Sequence, residues 1–302
     1  MRLSIIVPVF RGKEILRELL RRIDETLKGN YEYEVLFICD GCDPESFRVI
    51  NDIKKGYSSQ IEVFQLDQNY GQHRALQFGF GRVSGDLIVT IDEDLQHNPY
   101  DIMKLVEKQK DGNYDIVYGR FTNLQHNGFR NIISAVLRKV LKHFIPTLYE
   151  DYSPYRLIKR DIAIRTSSMV CPYTFIDDFL SRITQNIAFV DIIHFKRLEG
   201  RSSYTLRKLI KHGIYILLAY SGIISWLLVA AGVILFIGTL LFIITVVSPV
   251  TINTVLINNI TLIGIFGFGL LLITISLLGT LINHRNIKIN TRPVGLLDED
   301  TV

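Results

Sequence analysis

Asp92 and Asp94 stand two residues apart in Ile91-Asp92-Glu93-Asp94-Leu95-Gln96, directly behind the apolar run Leu87 to Ile91. Carboxylates so spaced on a turn leaving a strand can converge on one hard divalent cation, which takes oxygen ligands and keeps substrate phosphates in its shell. A nucleotide diphosphate is the natural partner of such a site. The alternative is a solvated loop and helix start, where carboxylates suit the positive end of a helix dipole. Arg130 and Ser134 lie four apart on a helix expected from Gly128 to His143, beside an apolar stripe of Ile133, Val136, Leu137, Val140 and Leu141. One cation, one hydroxyl and an oily flank suit a phosphate with a lipid tail; a solvated arginine on an ordinary packed helix is the other reading. Cys39-x-x-Cys42 invites a dithiol reading, because a strand, then Cys-x-x-Cys, then a helix is how such a site is built. Against it, cysteine is often just a small buried residue. A zinc site needs two further ligands, and Cys171 is far off.

The elements that must position these residues alternate. The β-branched run of residues 3 to 9 is followed by Ile15, Leu16, Leu19, Leu20, Ile23 and Leu27 at helical spacing. The pattern repeats as Tyr33 to Ile38 with a helix about Ser46 to Lys55, Ile61 to Leu66 with Gln72 to Arg82, and Leu87 to Ile91 with Tyr100 to Gln109. Repeated strand–helix units with nearly continuous apolar strands predict an α/β domain around a parallel sheet covered on both faces, with ligands beyond the carboxyl ends of the strands. Pro8, Asp40, Asn69 to Gln72 and Asp92 to Gln96 all fall at such ends. No Gly-x-Gly-x-x-Gly follows the first strand and no Gly-x-x-x-x-Gly-Lys-Ser/Thr occurs, so nicotinamide-dinucleotide and P-loop chemistry lose their main support.

The remainder is of another kind. The chain has 302 residues, 34 Lys+Arg against 30 Asp+Glu and 48% hydrophobic residues, with a mean hydropathy of +0.23. From Gly213 to Asn283 there is no Asp, Glu, Lys or Arg. That rules out disorder, a secreted disulfide scaffold and an ordinary cytosolic enzyme. Two spans are expected, near Ile223 to Val247 and Ile260 to Ile282, each longer than the roughly 20 residues that cross a bilayer core. Arg201, Arg207, Lys208 and Lys211 precede the first span and Arg285, Lys288 and Arg292 follow the second, whereas the connecting loop has no basic residue. This places residues 1–212 on the cytoplasmic side of a membrane. Residues 201–222 carry an amphipathic pattern that suits a basic helix lying on an anionic lipid surface, or a helix packed on the soluble domain. The spans lack ionisable residues of those four types, so they serve as anchor and the chemistry belongs to the soluble part. The expected organisation is a catalytic domain over 1–200, a juxtamembrane helix over 201–222, a transmembrane hairpin over 223–283 and a cytoplasmic tail over 284–302.

Asn69-Tyr70-Gly71-Gln72 through Ala75, Gly79 and Gly85-Asp86, then Asp92-x-Asp94-Leu95-Gln96, together with the opening Ile6-Val7-Pro8-Val9-Phe10, closely resembles the inverting glycosyltransferases of GT-A fold. Within them the chain looks like the polyisoprenyl-phosphate glycosyltransferases over roughly residues 3 to 212. The resemblance implies transfer of a sugar from a nucleotide-diphosphate sugar, with a uridine donor preferred, to polyisoprenyl (undecaprenyl) phosphate in a bacterial inner membrane. It also implies a Mg²⁺ or Mn²⁺ cofactor, a homo-oligomer, by analogy a tetramer, and no nucleic-acid partner. It assigns Asp92, Asp94 and Gln96 to the metal and diphosphate motif and Pro8, Asp40 and Gln72 to the donor pocket. Arg120 and the Arg130/Ser134 pair then reach the acceptor phosphate. Asp151, Ser153, Tyr155 and Arg156 lie near sugar and phosphate, and Arg197, Gly200, Ser202 and Tyr204 form a loop closing over the donor. Arg156 and Arg197 also suit structural ion pairs.

The chain departs from that pattern twice. Cys39-Asp40-Gly41-Cys42 stands where relatives carry Asp-Asp-Gly-Ser, and Ser203 stands where a lysine is common. The resemblance gives the acidic pair Asp177-Asp178 the place of a general base in enzymes whose acceptor is a sugar hydroxyl. A lipid phosphate is already anionic and needs none. Extension of a lipid-linked oligosaccharide with Asp177 or Asp178 as base, and a non-catalytic membrane scaffold, are the rival expectations.

Overall fold

The computed structural model describes residues 1–56, 60–122, 139, 147–149, 151–169, 174–193, 228–238, 240, 264 and 266–278. The described residues up to 193 belong to one compact unit and those from 228 onward to a second.

The first unit is built on seven strands: β1 (Arg2–Val9), β2 (Glu32–Asp40), β3 (Ile61–Leu66), β4 (Leu87–Thr90), β5 (Ile116–Phe121), β6 (Arg156–Lys159) and β7 (Ile187–Ile192). They lie in the order β3-β2-β1-β4-β6-β5-β7. All neighbours are parallel except β6, which runs antiparallel to both β4 and β5. The helices are α1 (Ile15–Leu27), α2 (Pro44–Gly56), α3 (Gln72–Phe80), α4 (Ile102–Gly112), α5 (Arg160–Ser167) and α6 (Ile176–Ile183), with a 3₁₀ turn Pro99–Asp101 leading into α4. The four strand–helix units expected from periodicity are all present. The reversal at β6 had no signature in the sequence, because a four-residue strand buried on both faces reads alike in either direction.

Alternation along the strands divides the core. Leu3, Ile5, Val7 and Val9 of β1 join Val35, Phe37 and Val89 and the buried stripes of α1, α2 and α4 on one face. Ile6, Leu36, Ile38 and Ile88 pack on the other face with residues of α3, α5 and α6. The apolar positions of α1 named above are all buried, which is why this strongly charged segment is held as a helix. Chain order makes the site: β1, β2 and β3 build outward on one side, and β4 returns to the other side of β1. The carboxyl ends of β1 and β4 therefore flank a topological switch point.

In the second unit, residues 228–238 and 266–278 are helical and fall inside the two expected spans. A Cβ added at Gly269 would meet Leu235 at 2.8 Å, so glycine lets these helical stretches approach closely. Among the described residues no helix is long and apolar enough to cross a membrane. Apart from residues 240 and 264, the remainder of both spans lies outside the described residues, as do residues 201–222 and 284–302.

Candidate active site at the carboxyl edge of the sheet

Pairing of β1 with β4 ends at Ile6 and Thr90, whereas β1 continues beside β2 to Val9. Pro8 sits in that extension, where its missing N–H costs no bond to β4. Past the end of pairing the two chains are tied by a side chain. Glu93 accepts hydrogen bonds from the backbone N–H groups of Phe10 at 3.1 Å, Arg11 at 3.3 Å and Gly12 at 2.8 Å. Burial pushes the Glu93 carboxyl above its ordinary pKa, and these three donors oppose the rise. The middle acid of the Asp-Glu-Asp run therefore faces away from ligand duty and fixes the loop after β1.

Asp92 follows β4 and is held from two sides. Gln72 Nε2, at the start of α3, donates to its Oδ1 at 2.6 Å, and its own backbone N–H donates to His97 Nδ1 at 3.4 Å. His97 is buried and stacked between Phe121 and Tyr155, with ring centroids 5.3 and 5.1 Å away. The turn closes through Leu95, a buried residue with φ +56°, and through Asp94, whose Oδ1 accepts from Gln96 N–H at 3.1 Å. Asp92 is half-buried by accessible surface, yet the protein packed round it pushes its carboxyl up to about 7; burial is the first cause and the charge of Asp94 the second. Among the described residues no group of three or more His, Cys, Asp or Glu is placed to hold a metal ion. The two aspartates still fit a divalent cation: they are hard oxygen donors whose mutual repulsion such an ion relieves, and substrate phosphate and water commonly complete its shell.

Asp40 ends β2. Its carboxylate accepts from the backbone N–H of Tyr70 at 2.7 Å and of Gly71 at 2.8 Å, so it clamps the turn that delivers Gln72 to Asp92. Gly71 has φ +90° and Gly41 φ +61°. A Cβ at Gly41 would lie 2.6 Å from the Asn69 nitrogen, so only glycine permits the two turns to touch. Both Asp40 oxygens are engaged with backbone.

Among the described residues Arg156 is the largest fully buried side chain, and it is ion-paired to Asp177, with Nε 3.3 Å from Thr90 Oγ1. Tyr118 donates to the same Asp177 oxygen at 2.9 Å. Desolvation opposes the Arg156 charge, but Asp177 and Tyr118 outweigh it, and its field also partly offsets the rise at Asp92. Arg156 thus makes the structural ion pair that was the other reading of this residue, and its charge reaches Asp92 from within the core. Asp178 is likewise buried, and Arg182 Nε donates to its Oδ1 at 2.9 Å. Arg120, at the end of β5, is exposed and pairs with Asp191 at 2.7 Å and Asp151 at 3.9 Å. Ser153 accepts from Tyr155 N–H at 3.1 Å, and Tyr155 reaches the carbonyl of Asn98 at 3.0 Å.

The structure thus brings Asp92, Asp94, Gln72 and Gln96 together and ties Asp40 to them through the 69–72 turn. Arg120 and Asp151 form a separate pair. Arg130, Ser134, Arg197, Ser202 and Tyr204 lie outside the described residues. Glu93, Gly12, Thr90 and His97 were missed as supports of the site. A glutamate among acids and a histidine ahead of Asn-Pro look solvated in sequence; only packing shows that one caps a loop and the other is sandwiched.

Residues 4–170 match the model of Glycosyl transferase family 2. The chain is 32% identical over 211 residues to the undecaprenyl-phosphate 4-deoxy-4-formamido-L-arabinose transferase of Klebsiella pneumoniae (strain 342), covering 69% of this chain and 64% of that protein. The enzyme of that name from Erwinia tasmaniensis is also 32% identical, with 69% and 65% covered. The chain thus spans somewhat less than two thirds of the length of these relatives. Among solved structures, glucosyl-3-phosphoglycerate synthase from Mycobacterium tuberculosis, in complex with Mn²⁺, UDP and glucosyl-3-phosphoglycerate, superposes with a TM-score of 0.54 at 18% identity, covering 72% of this chain and 77% of that one. The same synthase with Mg²⁺ and UDP gives 0.54 at 19%, with 72% and 77% covered. These two share the fold. With its model matched over more than half of the sequence, the chain belongs to Glycosyl transferase family 2.

Proposed function

We propose that the chain transfers a sugar from a nucleotide-diphosphate sugar, uridine-linked, to a polyisoprenyl phosphate of the undecaprenyl class, with inversion at the anomeric carbon. The observation that carries the choice of acceptor is the burial of Asp177 against Arg156 and Tyr118. A carboxylate so committed is a poor general base, and a phosphate acceptor, already anionic at neutral pH, needs none. The names of the relatives at 32% identity point to the same acceptor.

Asp92 and Asp94 would hold Mg²⁺ or Mn²⁺ at the donor diphosphate; when bound, the cation supplies positive charge against the diphosphate as it departs. Gln72 and His97 keep Asp92 oriented, and Glu93 keeps the Phe10–Gly12 loop against the same turn. Pro8 and the Asp40-clamped turn border the nucleotide, and Gln96 the diphosphate. Arg120 gathers the acceptor phosphate by exchanging its exposed carboxylate partners for it, with Asp151 restoring its position afterwards. Arg130 and Ser134 join it there, and the segment with Arg197, Ser202 and Tyr204 closes over the donor. Attack from the face opposite the diphosphate inverts the anomeric centre, and holding both substrates makes the encounter effectively intramolecular.

The chain is anchored in a bacterial inner membrane with the catalytic unit on the cytoplasmic face, and works as a homo-oligomer. Support for the anchor comes from the uncharged stretch Gly213 to Asn283 and its basic flanks. It also comes from apolar side chains such as Phe236 and Leu270, 70% and 64% exposed in the single chain, which suit a hydrocarbon environment.

The test is a donor screen of the full chain in detergent with undecaprenyl phosphate and Mg²⁺ or Mn²⁺, read by mass spectrometry of the lipid. The expected product is undecaprenyl phosphate plus one sugar. Transfer only to the hydroxyl of a lipid-linked saccharide, and never to the plain lipid phosphate, would overturn the reading.

A further inference from the structure

The Cys-x-x-Cys sequence at the end of β2 is not absorbed by the chemistry above. In the structure Cys39 and Cys42 are joined by a disulfide, their Cα atoms 5.3 Å apart, within the ordinary range for such a bridge. The two sulfurs differ in access: Cys39 lies on the buried strand, wholly without exposure, whereas Cys42 on the following turn is only half-buried. What lies between them matters more. Asp40 clamps the Tyr70–Gly71 turn, and Gly41 presses on the Asn69 backbone. That turn in turn delivers Gln72 to Asp92. A bridge from residue 39 to residue 42 thus spans the two residues that shape the nucleotide side of the site.

We propose that Cys39 and Cys42 form a reversible thiol–disulfide modification site that sets donor affinity, resting on the nucleotide-sugar reading above. The co-reactant is a low-molecular-weight disulfide of the glutathione class. The Cys42 thiolate attacks one of its sulfurs, forming a mixed disulfide and releasing the first thiolate. Cys39 then attacks Cys42 Sγ, closing the Cys39–Cys42 bond and expelling the second thiolate. Two protein thiols lose two electrons to the co-reactant disulfide, which leaves as two thiols carrying the two protons. A dithiol reverses the exchange, entering at the half-buried Cys42. Cysteine pairs that cycle in a reducing compartment are more often redox-sensing than structural. Closing the bridge restricts the backbone of Asp40 and Gly41 to the arrangement in which they clamp the 69–71 turn. Opening it returns torsional freedom to both, and donor binding must then restrict it again.

The test uses the full chain in detergent, equilibrated with oxidised or with reduced glutathione. Alkylation and peptide mass spectrometry read the bridge, and calorimetry with UDP and Mn²⁺ reads the pocket. Oxidised protein is expected to protect the Cys39–Cys42 peptide from alkylation and to bind UDP about fivefold more tightly than reduced protein. Cys39→Ser and Cys42→Ser should each bind like reduced wild type in both buffers. Two alkylated thiols in the oxidised buffer would overturn the proposal, as would a closed bridge with equal UDP affinity in both states. A closed bridge with no UDP binding in either state would overturn the donor reading and this proposal with it.

Discussion

Gly12 and Glu93 share one space approached from two sides. Glu93 Oε2 accepts the Gly12 N–H at 2.8 Å, and a Cβ added to Gly12 would lie 2.6 Å from that same oxygen. Glycine at 12 is therefore a condition for the carboxylate at 93 to cap the loop. Hydrogen bonds to a charged group contribute about 1.5–3 kcal/mol each, so three of them make this the strongest tie between the end of β1 and the Asp92–Asp94 turn. Glu93→Gln and Gly12→Ala should each raise the donor KM about tenfold while changing the lipid-acceptor KM little. Initial-rate kinetics with each substrate varied in turn checks this; equal rises in both constants would count against a donor-side role.

Asp92→Asn or Asp94→Asn should reduce the turnover of each variant by about 10²–10³, because charge on the departing diphosphate loses its counter-ion. Thermal unfolding should stay near wild type, since neither carboxylate supports the core. Mn²⁺ binding, followed by the water-proton relaxation of the free ion, should weaken in parallel with turnover.

The ion pair of Arg156 with Asp177 separates stability from catalysis. Asp177→Asn strips a buried guanidinium of its partner and should cost about 3–5 kcal/mol of stability, read as a clearly lower melting temperature. Turnover per folded molecule should remain within about threefold of wild type, because a phosphate acceptor requires no base. Full loss of turnover in a sample that is still folded would favour the hydroxyl-acceptor chemistry instead.

Arg120 is exposed and shared between Asp191 and Asp151, so its removal leaves the fold intact. Arg120→Ala should raise the KM for polyprenyl phosphate about tenfold and leave the donor KM unchanged. Lysine at this position should recover only part of the loss, since it lacks the planar fork.

At the opposite edge of the sheet, Glu34 accepts from the Ser4 hydroxyl, from Ser84 N–H at 2.7 Å and Ser84 Oγ at 2.7 Å, and from Arg2 at 3.3 Å. Burial raises its carboxyl, but these partners outweigh burial and hold it below the ordinary value. A folded-state pKa below the unfolded one, about 4.3, adds stability above that pH which is lost as pH falls through the folded value. Glu34→Gln should therefore lower the melting temperature at pH 7, and the gap to wild type should narrow steadily on acidification below pH 4.

The alternation of strand and helix and the Asp92-x-Asp94 spacing were legible in the sequence, because each is a local pattern with its own period or adjacency. Asp177, Arg156 and Tyr118 carry no such pattern: they are separated in the chain and meet only because β6 reverses between β4 and β5 and α6 packs on that face. The same holds for Glu93 and Gly12, joined across the switch point of the sheet, and for Asp40, whose oxygens turned out to be spent on the 69–71 backbone. Residue type and spacing alone determined which groups could do chemistry. Which carboxylate stands at the candidate site, which caps a loop and which neutralises a buried arginine was decided by tertiary structure, because burial and long-range partners, rather than neighbours in sequence, set the free energy of each charge.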